Sequence, residues 1–379
     1  MKIRTLATLL VLMSLNGVAQ AEKQLIDYFK PMELQGPLVS EGIWGETNVL
    51  PRDIKNGLED PDMKTWCYWD GRVVKDDDGR FHFYGCGWDQ KYSHDAGWKL
   101  NSKAIHAVAD DIMGPYENPV LMWPHWQEGE GSNVIGLRMH DGRWAAVSSE
   151  TTEGEIFTSD SPYGPWSLLG KIKVDLNGFE PGLARYQRKT MPSYGHMANV
   201  KILLRPDGRY MLVPRSCCVM ISDDGILGPY KIMNDRVYKP YPELPQTKNE
   251  DPTVWHSGGI YHIVYNHWPS KISHHFTSID GITDWKYRGI AFTKEQNDKV
   301  FRYPDGSFDD WIYVERMTAC VDEETDHVTH FIFSVLDVKK GWDQGNDNHG
   351  SKIVVVPFDG EAFDANMQRI IDAEKKAAQ

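Results

Sequence analysis

Four polar residues stand at one fixed distance from four turn glycines. Asp70, Asn133, Asn199 and Glu250 each precede Gly79, Gly142, Gly208 and Gly259 by nine positions. Two of the four are carboxylic acids. Two carboxyl groups facing one bond can cleave a glycoside, one protonating the departing oxygen while the other activates water or attacks the sugar. Asp251 can exchange roles with Glu250, because the turn Ser257-Gly258-Gly259 leaves the fourth register open by one residue. A second chemistry uses other residues nearby, namely elimination at a uronic acid. It needs a base of moderate pKa, an acid for the leaving oxygen and a clamp for the substrate carboxylate. His196 or His267 can be the base, Tyr68 an acid or base, and Arg215 or Arg316 with Asn199 the clamp, since Arg pairs bidentately with carboxylates. A third reading needs no reaction, because the same polar positions can simply hold a carbohydrate.

The elements that must position these residues are hairpins. Asp70 to Tyr84, Asn133 to Val147, Asn199 to Val213 and Glu250 to Tyr265 each read as apolar run, Gly turn and aromatic apolar run. That is the strongest short-range hairpin signal. Arg316 to Val335 is a looser fifth copy, with Asp322-Glu323-Glu324-Thr325-Asp326 in place of the glycine turn. Each hairpin is followed by a third apolar strand and a further turn, as in Gly114-Pro115-Tyr116, Gly164-Pro165-Trp166 and Gly228-Pro229-Tyr230. The copies recur roughly every 50 to 70 residues, the span of a four-stranded blade with its loops. The fold predicted is therefore all-β, a five-bladed β-propeller of four-stranded antiparallel blades. Residues 22–379 form it as a single domain, with a short peripheral helical extension over Glu361 to Ala378. In such a ring the starts of the innermost strands converge on one face of a central channel. The second strands return to that face, which adds Trp88-Asp89, Ser149-Glu150, Arg215-Ser216 and Asn266-His267-Trp268. Trp88, Asn133, Asn199, Arg215, His267, Trp268 and Arg316 are thus the expected substrate-binding residues. Asp70, Glu250, Asp251 and His196 are the expected catalytic ones.

Composition narrows the setting. The chain has 379 residues, 41 Lys and Arg against 54 Asp and Glu, and a formal charge of −13. That field repels nucleic acid, and an acidic substrate would need a local basic pocket. Lys2 and Arg4, the apolar run Leu6 to Leu15 and Ala19-Gln20-Ala21 read as a signal peptide over residues 1–21. The expectation is export to the periplasm or beyond, with no membrane insertion and an oligosaccharide as partner. Cys67, Cys86, Cys217, Cys218 and Cys320 match no zinc spacing and read as small buried hydrophobes, although export would permit a Cys67 to Cys86 disulfide. Asp76-Asp77-Asp78-Gly79 lacks the Glu and the spacing of a calcium loop, so no metal site and no required cofactor are expected from the residues themselves.

From Trp44 to Gly360 the pattern resembles the five-bladed β-propeller glycoside hydrolases of family 43, and more distantly family 117. Asp70-Gly71-Arg72-Val73-Val74 stands where that family opens its first blade with Asp-Pro. Glu250-Asp251-Pro252 stands where it opens the fourth with Glu-Gly-Pro, the Glu being the general acid, and Ser159 to Trp166 has its Ser-Asp-x-x-x-Gly-Pro-aromatic turn. The resemblance implies an exo-acting hydrolase and allows a structural calcium in the channel. It breaks at the third blade, where the family's acid-tuning Asp is Asn199. An amide supplies no negative charge to raise a neighbouring carboxyl's pKa.

Overall fold

The computed structural model describes residues 23–39, 49–60, 64–149, 154–184, 197–346 and 350–379. The proposed leader and His196 lie outside them. The strands gather into five sheets. The first blade holds β1 (Trp66–Lys75), β2 (Phe81–Asp89), β3 (Lys103–Ala109) and β4 (Glu117–Leu121). The second holds β5 (Ile135–Arg138), β6 (Trp144–Ser148), β7 (Glu155–Ser159) and β8 (Ser167–Lys171). Its continuation β9 (Val174–Asp175) crosses to pair parallel with the outer strand of the third blade, formed by β10 (Lys201–Leu204), β11 (Tyr210–Val213), β12 (Val219–Ser222) and β13 (Tyr230–Asn234). The fourth holds β14 (Asn249–Ser257), β15 (Ile260–His267), β16 (Ile272–Ser278) and β17 (Lys286–Thr293), and the fifth β18 (Tyr313–Asp322), β19 (His327–Leu336) and β20 (Ser351–Pro357). The innermost strands touch in a closed cycle, β1 to β5, β10, β14, β18 and back to β1, which makes the protein a five-bladed propeller.

The repeated turn explains the repeated hairpin. In three blades it closes with the same pair of backbone bonds, such as Gly79 N–H to Asp76 O and Asp76 N–H to Arg80 O. Gly79, Gly142, Gly208 and Gly259 have φ of 86, 84, 83 and 76°, a region that glycine enters without a Cβ clash. Ring closure falls to the chain's beginning. Leu58 exchanges backbone hydrogen bonds with Ile353 of β20, and Asn56 bonds both the N–H and the C=O of Val355, so an early segment covers the edge of the last blade.

Aromatic residues fill the spaces between blades, with Trp69, Trp88, Trp144, Trp255 and Trp311 almost fully buried. The five cysteines are free and buried, so the permitted Cys67 to Cys86 disulfide is not formed. The terminal helix, Gly360–Ala377, is less peripheral than its composition suggests. It buries Phe363, Met367 and Ile371, and Arg288 of β17 grips Glu374 through both guanidinium nitrogens.

Candidate active site

Each innermost strand enters the channel through one residue with a left-handed backbone. These are Asp70, Asn133, Asn199, Asp251 and Arg316, with φ of 53, 50, 53, 55 and 58°. Asp and Asn tolerate that region, but an Arg there is strained by about 1–2 kcal/mol, a cost typical of functional positions. In β1, β14 and β18 the residue falls at a bulge that aims its side chain at the axis. The fourth-blade member of this set is Asp251, which corrects the register by one. Glu250 precedes it, as Glu315 precedes Arg316 and Trp69 precedes Asp70.

The five side chains form a continuous run of polar contacts through all five blades. Asn133 Nδ2 donates to Asn199 Oδ1 at 2.7 Å, and Asn199 Nδ2 to Asp251 Oδ1 at 2.8 Å. Arg316 Nη1 then lies 3.1 Å from Asp251 Oδ1 and 3.4 Å from Asp70 Oδ2. Lys201, two residues past Asn199, crosses the channel to Asp70 Oδ1 at 2.8 Å, and Gly71 N–H donates to the same oxygen. The belt is sealed, with every member buried. The sequence leads one to expect Asp70, Asn133 and Asn199 as open pocket walls. Instead they are the pocket's floor, because polar groups brought to the axis satisfy one another.

The floor is electrically uneven. Burial alone would raise the carboxyl of Asp70, but the Lys201 and Arg316 charges pull it below the ordinary range and keep it ionised. Asp251 goes the other way. Burial raises it, Arg316 opposes, and the charges of Glu250 and Glu315 add to the rise, bringing it to about 7. Its Oδ2 is buried without a hydrogen-bond partner among the described residues. Two carboxyl groups on one guanidinium are thus shifted in opposite directions.

Above this floor is a half-exposed rim. Glu250 Oε2 meets Arg215 Nη2 at 2.5 Å, and both side chains reach solvent. Glu315 is held by two lysines, Lys271 Nζ at 3.0 Å and Lys340 Nζ at 2.6 Å. The Lys340 ammonium sits 4.8 Å from the Trp69 ring, and Lys271 lies 4.5 Å from Tyr313 and 5.1 Å from Trp268. Trp268 is 46 % exposed and is the indole available to stack on a sugar. Trp88 is not. It is fully buried, because the short helix His94–Leu100 lays His94 and Gly97 against its ring, so its expected substrate contact is withdrawn. His267 is on the rim with Nδ1 bonded to Ser270 Oγ, and burial together with Lys248 lowers its pKa. Tyr68 is buried, which raises its hydroxyl's pKa well beyond use as a base.

Lys201, Lys271, Lys340 and Glu315 are prominent here and were not singled out by sequence. Glu315 carried a signal, since it stands one place before the ring residue just as Glu250 does. Lys340 carried none, coming from a loop outside the repeat. A calcium ion in the channel does not fit these residues. It asks for six to eight oxygen ligands, whereas Lys201, Arg72 and Arg316 crowd Asp70, and no group of three His, Cys, Asp or Glu capable of holding a metal occurs among the described residues.

No protein-family model and no curated protein sequence matches the chain. Solved structures do match in fold. A glycoside hydrolase aligns over 80 % of this chain and 61 % of its own at 13 % identity and a TM-score of 0.52. Zg3597, a family 117 glycoside hydrolase produced by the marine bacterium Zobellia galactanivorans, aligns over 80 % and 88 % at 13 % identity and 0.51. An exo-β-1,3-galactanase from Phanerochaete chrysosporium, solved with galactose, aligns over 86 % and 65 % at 12 % identity and 0.50. The chain therefore spans about three fifths of the first and just under two thirds of the third. It shares its fold with these glycoside hydrolases, a family 117 enzyme among them.

Proposed function

We propose that the protein is an exported, exo-acting glycoside hydrolase that removes terminal sugars from acidic oligosaccharides. The observation that carries this reading is the sharing of Arg316 Nη1 by Asp70 and Asp251, the latter next in the chain to the rim carboxylate Glu250 and within reach of its charge. Carboxyl groups from the first and fourth blades thus come together, Asp70 and Asp251 with their pKa values pushed apart, which is what acid and base roles require.

Glu250 gives its proton to the departing glycosidic oxygen once substrate draws Arg215 away. Asp70 takes a proton from the water that attacks the anomeric carbon, and the bond from that carbon to the oxygen breaks. For this, Arg316 must turn from Asp70 Oδ2 to the substrate. Its 3.4 Å contact is long against the ~2.7–2.9 Å of a strong charge-assisted bond, so little is lost. Asp251, and not the Asn199 amide, is the carboxyl group whose titration is linked to that of Glu250. The amide of Asn199 binds Asp251 Oδ1, so the third-blade position holds that acid in place of being one. Exo action suits a pocket whose floor is closed, since a polymer cannot pass through it. The preference for acidic sugars rests on Arg215, Lys271 and Lys340 at the rim of a chain that is otherwise net negative. The neighbour solved with galactose supports a sugar ligand.

The test is a panel of acidic oligosaccharides, following new reducing ends and ultraviolet absorbance together. Hydrolysis is expected, and Glu250→Gln is expected to abolish it while leaving binding intact. An unsaturated, absorbing product would mean elimination, and binding without turnover would mean a carbohydrate-binding propeller; either result rejects the hydrolase reading. Of the two arginines offered as the clamp for elimination, Arg316 is engaged with Asp70 and Asp251, whereas Arg215 stands at the partly exposed rim on Glu250.

A further inference from the structure

Glu315 and Glu250 occupy the same place in successive blades, yet they are treated differently. Glu250 has an arginine beside it, whereas Glu315 has two ammonium groups, Lys271 from the loop after β15 and Lys340 from the loop after β19. The two ammonium groups share one contacting carboxylate, with the charges of Asp251 and Glu250 acting on Lys340 from farther away. Each ammonium has three donors, and among the described residues neither finds a second acceptor beyond Glu315. The lysine side chains are 22 and 19 % exposed, so solvent and solutes reach them. Around them stand Trp69, Tyr313 and Trp268, whose rings lie 4.5–5.3 Å from the ammonium groups and offer them no hydrogen-bond acceptor. Such a site is costly to maintain empty. It is complementary to a planar or tetrahedral anion carried on a sugar ring, with the sugar face against Trp268 and the anion between the two ammonium groups.

We infer that Lys271 and Lys340 form the specificity subsite that takes the anionic substituent, carboxylate or sulfate, of the terminal sugar, with Glu315 as their internal counter-ion. The inference rests on the reading of this mouth as a sugar pocket. Because Glu315 is the contacting carboxylate that both lysines share, its removal has an unusual expected sign: Glu315→Gln frees two ammonium groups and tightens binding of the anion, whereas a merely structural Glu315 would weaken it.

The experiment is calorimetric binding to the whole protein of D-galacturonate, galactose 6-sulfate and galactose, with melting temperatures confirming that each variant is folded. The wild type is expected to bind one of the anionic sugars at least about tenfold more tightly than galactose, the difference that a single added ionic contact of ~1.4 kcal/mol produces. Lys271→Met and Lys340→Met are each expected to remove most of that preference, each leaving Glu315 one lysine. Stronger binding of galacturonate assigns a carboxylate subsite and stronger binding of the sulfated sugar a sulfate subsite, and either supports the inference. Equal affinity for charged and neutral sugars, a preference that survives both lysine substitutions, or weaker anion binding by folded Glu315→Gln overturns it while leaving the sugar pocket standing. Failure of all three sugars to bind overturns the sugar-pocket reading together with it.

Discussion

Lys201 of the third blade reaches across the channel to place its ammonium 2.8 Å from Oδ1 of Asp70 in the first, with both side chains no more than 1 % exposed. The pair ties nonadjacent blades together, so Asp70 serves the fold as well as any reaction. Substituting one partner of such a pair strands the other charge in the interior, whereas replacing both is tolerated far better.

Asp70→Asn alone is accordingly expected to lower unfolding free energy by about 3–5 kcal/mol. The double variant Asp70→Asn with Lys201→Met is expected to recover much of that loss without recovering turnover. Urea titrations and reducing-end assays on both variants check this. A double variant as unstable as the single one would deny the pairing, and an active double variant would remove Asp70 from the mechanism.

Asp251 makes stability depend on pH in a defined direction. Its folded value of about 7 stands above the ordinary 3.8, so the native state retains a proton that the unfolded chain releases. Stability therefore falls as pH rises from about 4 to about 7, and the penalty stays constant above that. Asp251→Asn stays neutral throughout and keeps an acceptor for Asn199. Relative to the wild type, its melting temperature should gain between pH 5 and pH 8. A gap that is unchanged across that interval would show that Asp251 titrates normally.

The strained backbone at Arg316 inverts a familiar ranking. In a strand, Gly is ordinarily less stable than Ala by roughly 0.5–1 kcal/mol. At φ 58° the order should reverse, with Arg316→Gly more stable than Arg316→Ala by about 1 kcal/mol. Denaturant midpoints of the two variants decide it. Neither is expected to turn over substrate, since both lack the guanidinium that the Asp70 and Asp251 carboxyl groups share.

Two tryptophans at equivalent-looking strand ends should behave oppositely. Trp88→Ala empties a fully buried site and is expected to cost about 3–5 kcal/mol. Trp268→Ala, on the rim, should change stability by less than about 0.5 kcal/mol. It should instead raise KM several-fold with little effect on kcat. Thermal melts and initial rates separate the two, and a stable Trp88→Ala or an unaffected KM in Trp268→Ala would contradict the assigned positions.

The blade count, the hairpins and three of the five axial residues, Asp70, Asn133 and Asn199, were legible in the chain because each is a local, repeated event. A glycine turn sets hairpin register, and nine residues of strand carry that register to the channel. Where the turn changed form, at Gly258-Gly259 and in the fifth blade, the register stayed open by a residue or so, and backbone geometry placed Asp251 and Arg316, both already candidates, on the axis. What the sequence by itself could not determine was which polar groups would satisfy one another. Lys201, Asp70 and Arg316 are far apart along the chain, and their pairing follows from burial at a shared axis, where an unpartnered charge is too costly to keep. The same closure turned Asn133 and Asn199 from expected walls into a floor and brought Lys271 and Lys340 from two unrelated loops onto Glu315. Periodicity determined the ring, and desolvation at its centre decided what the ring's polar residues do.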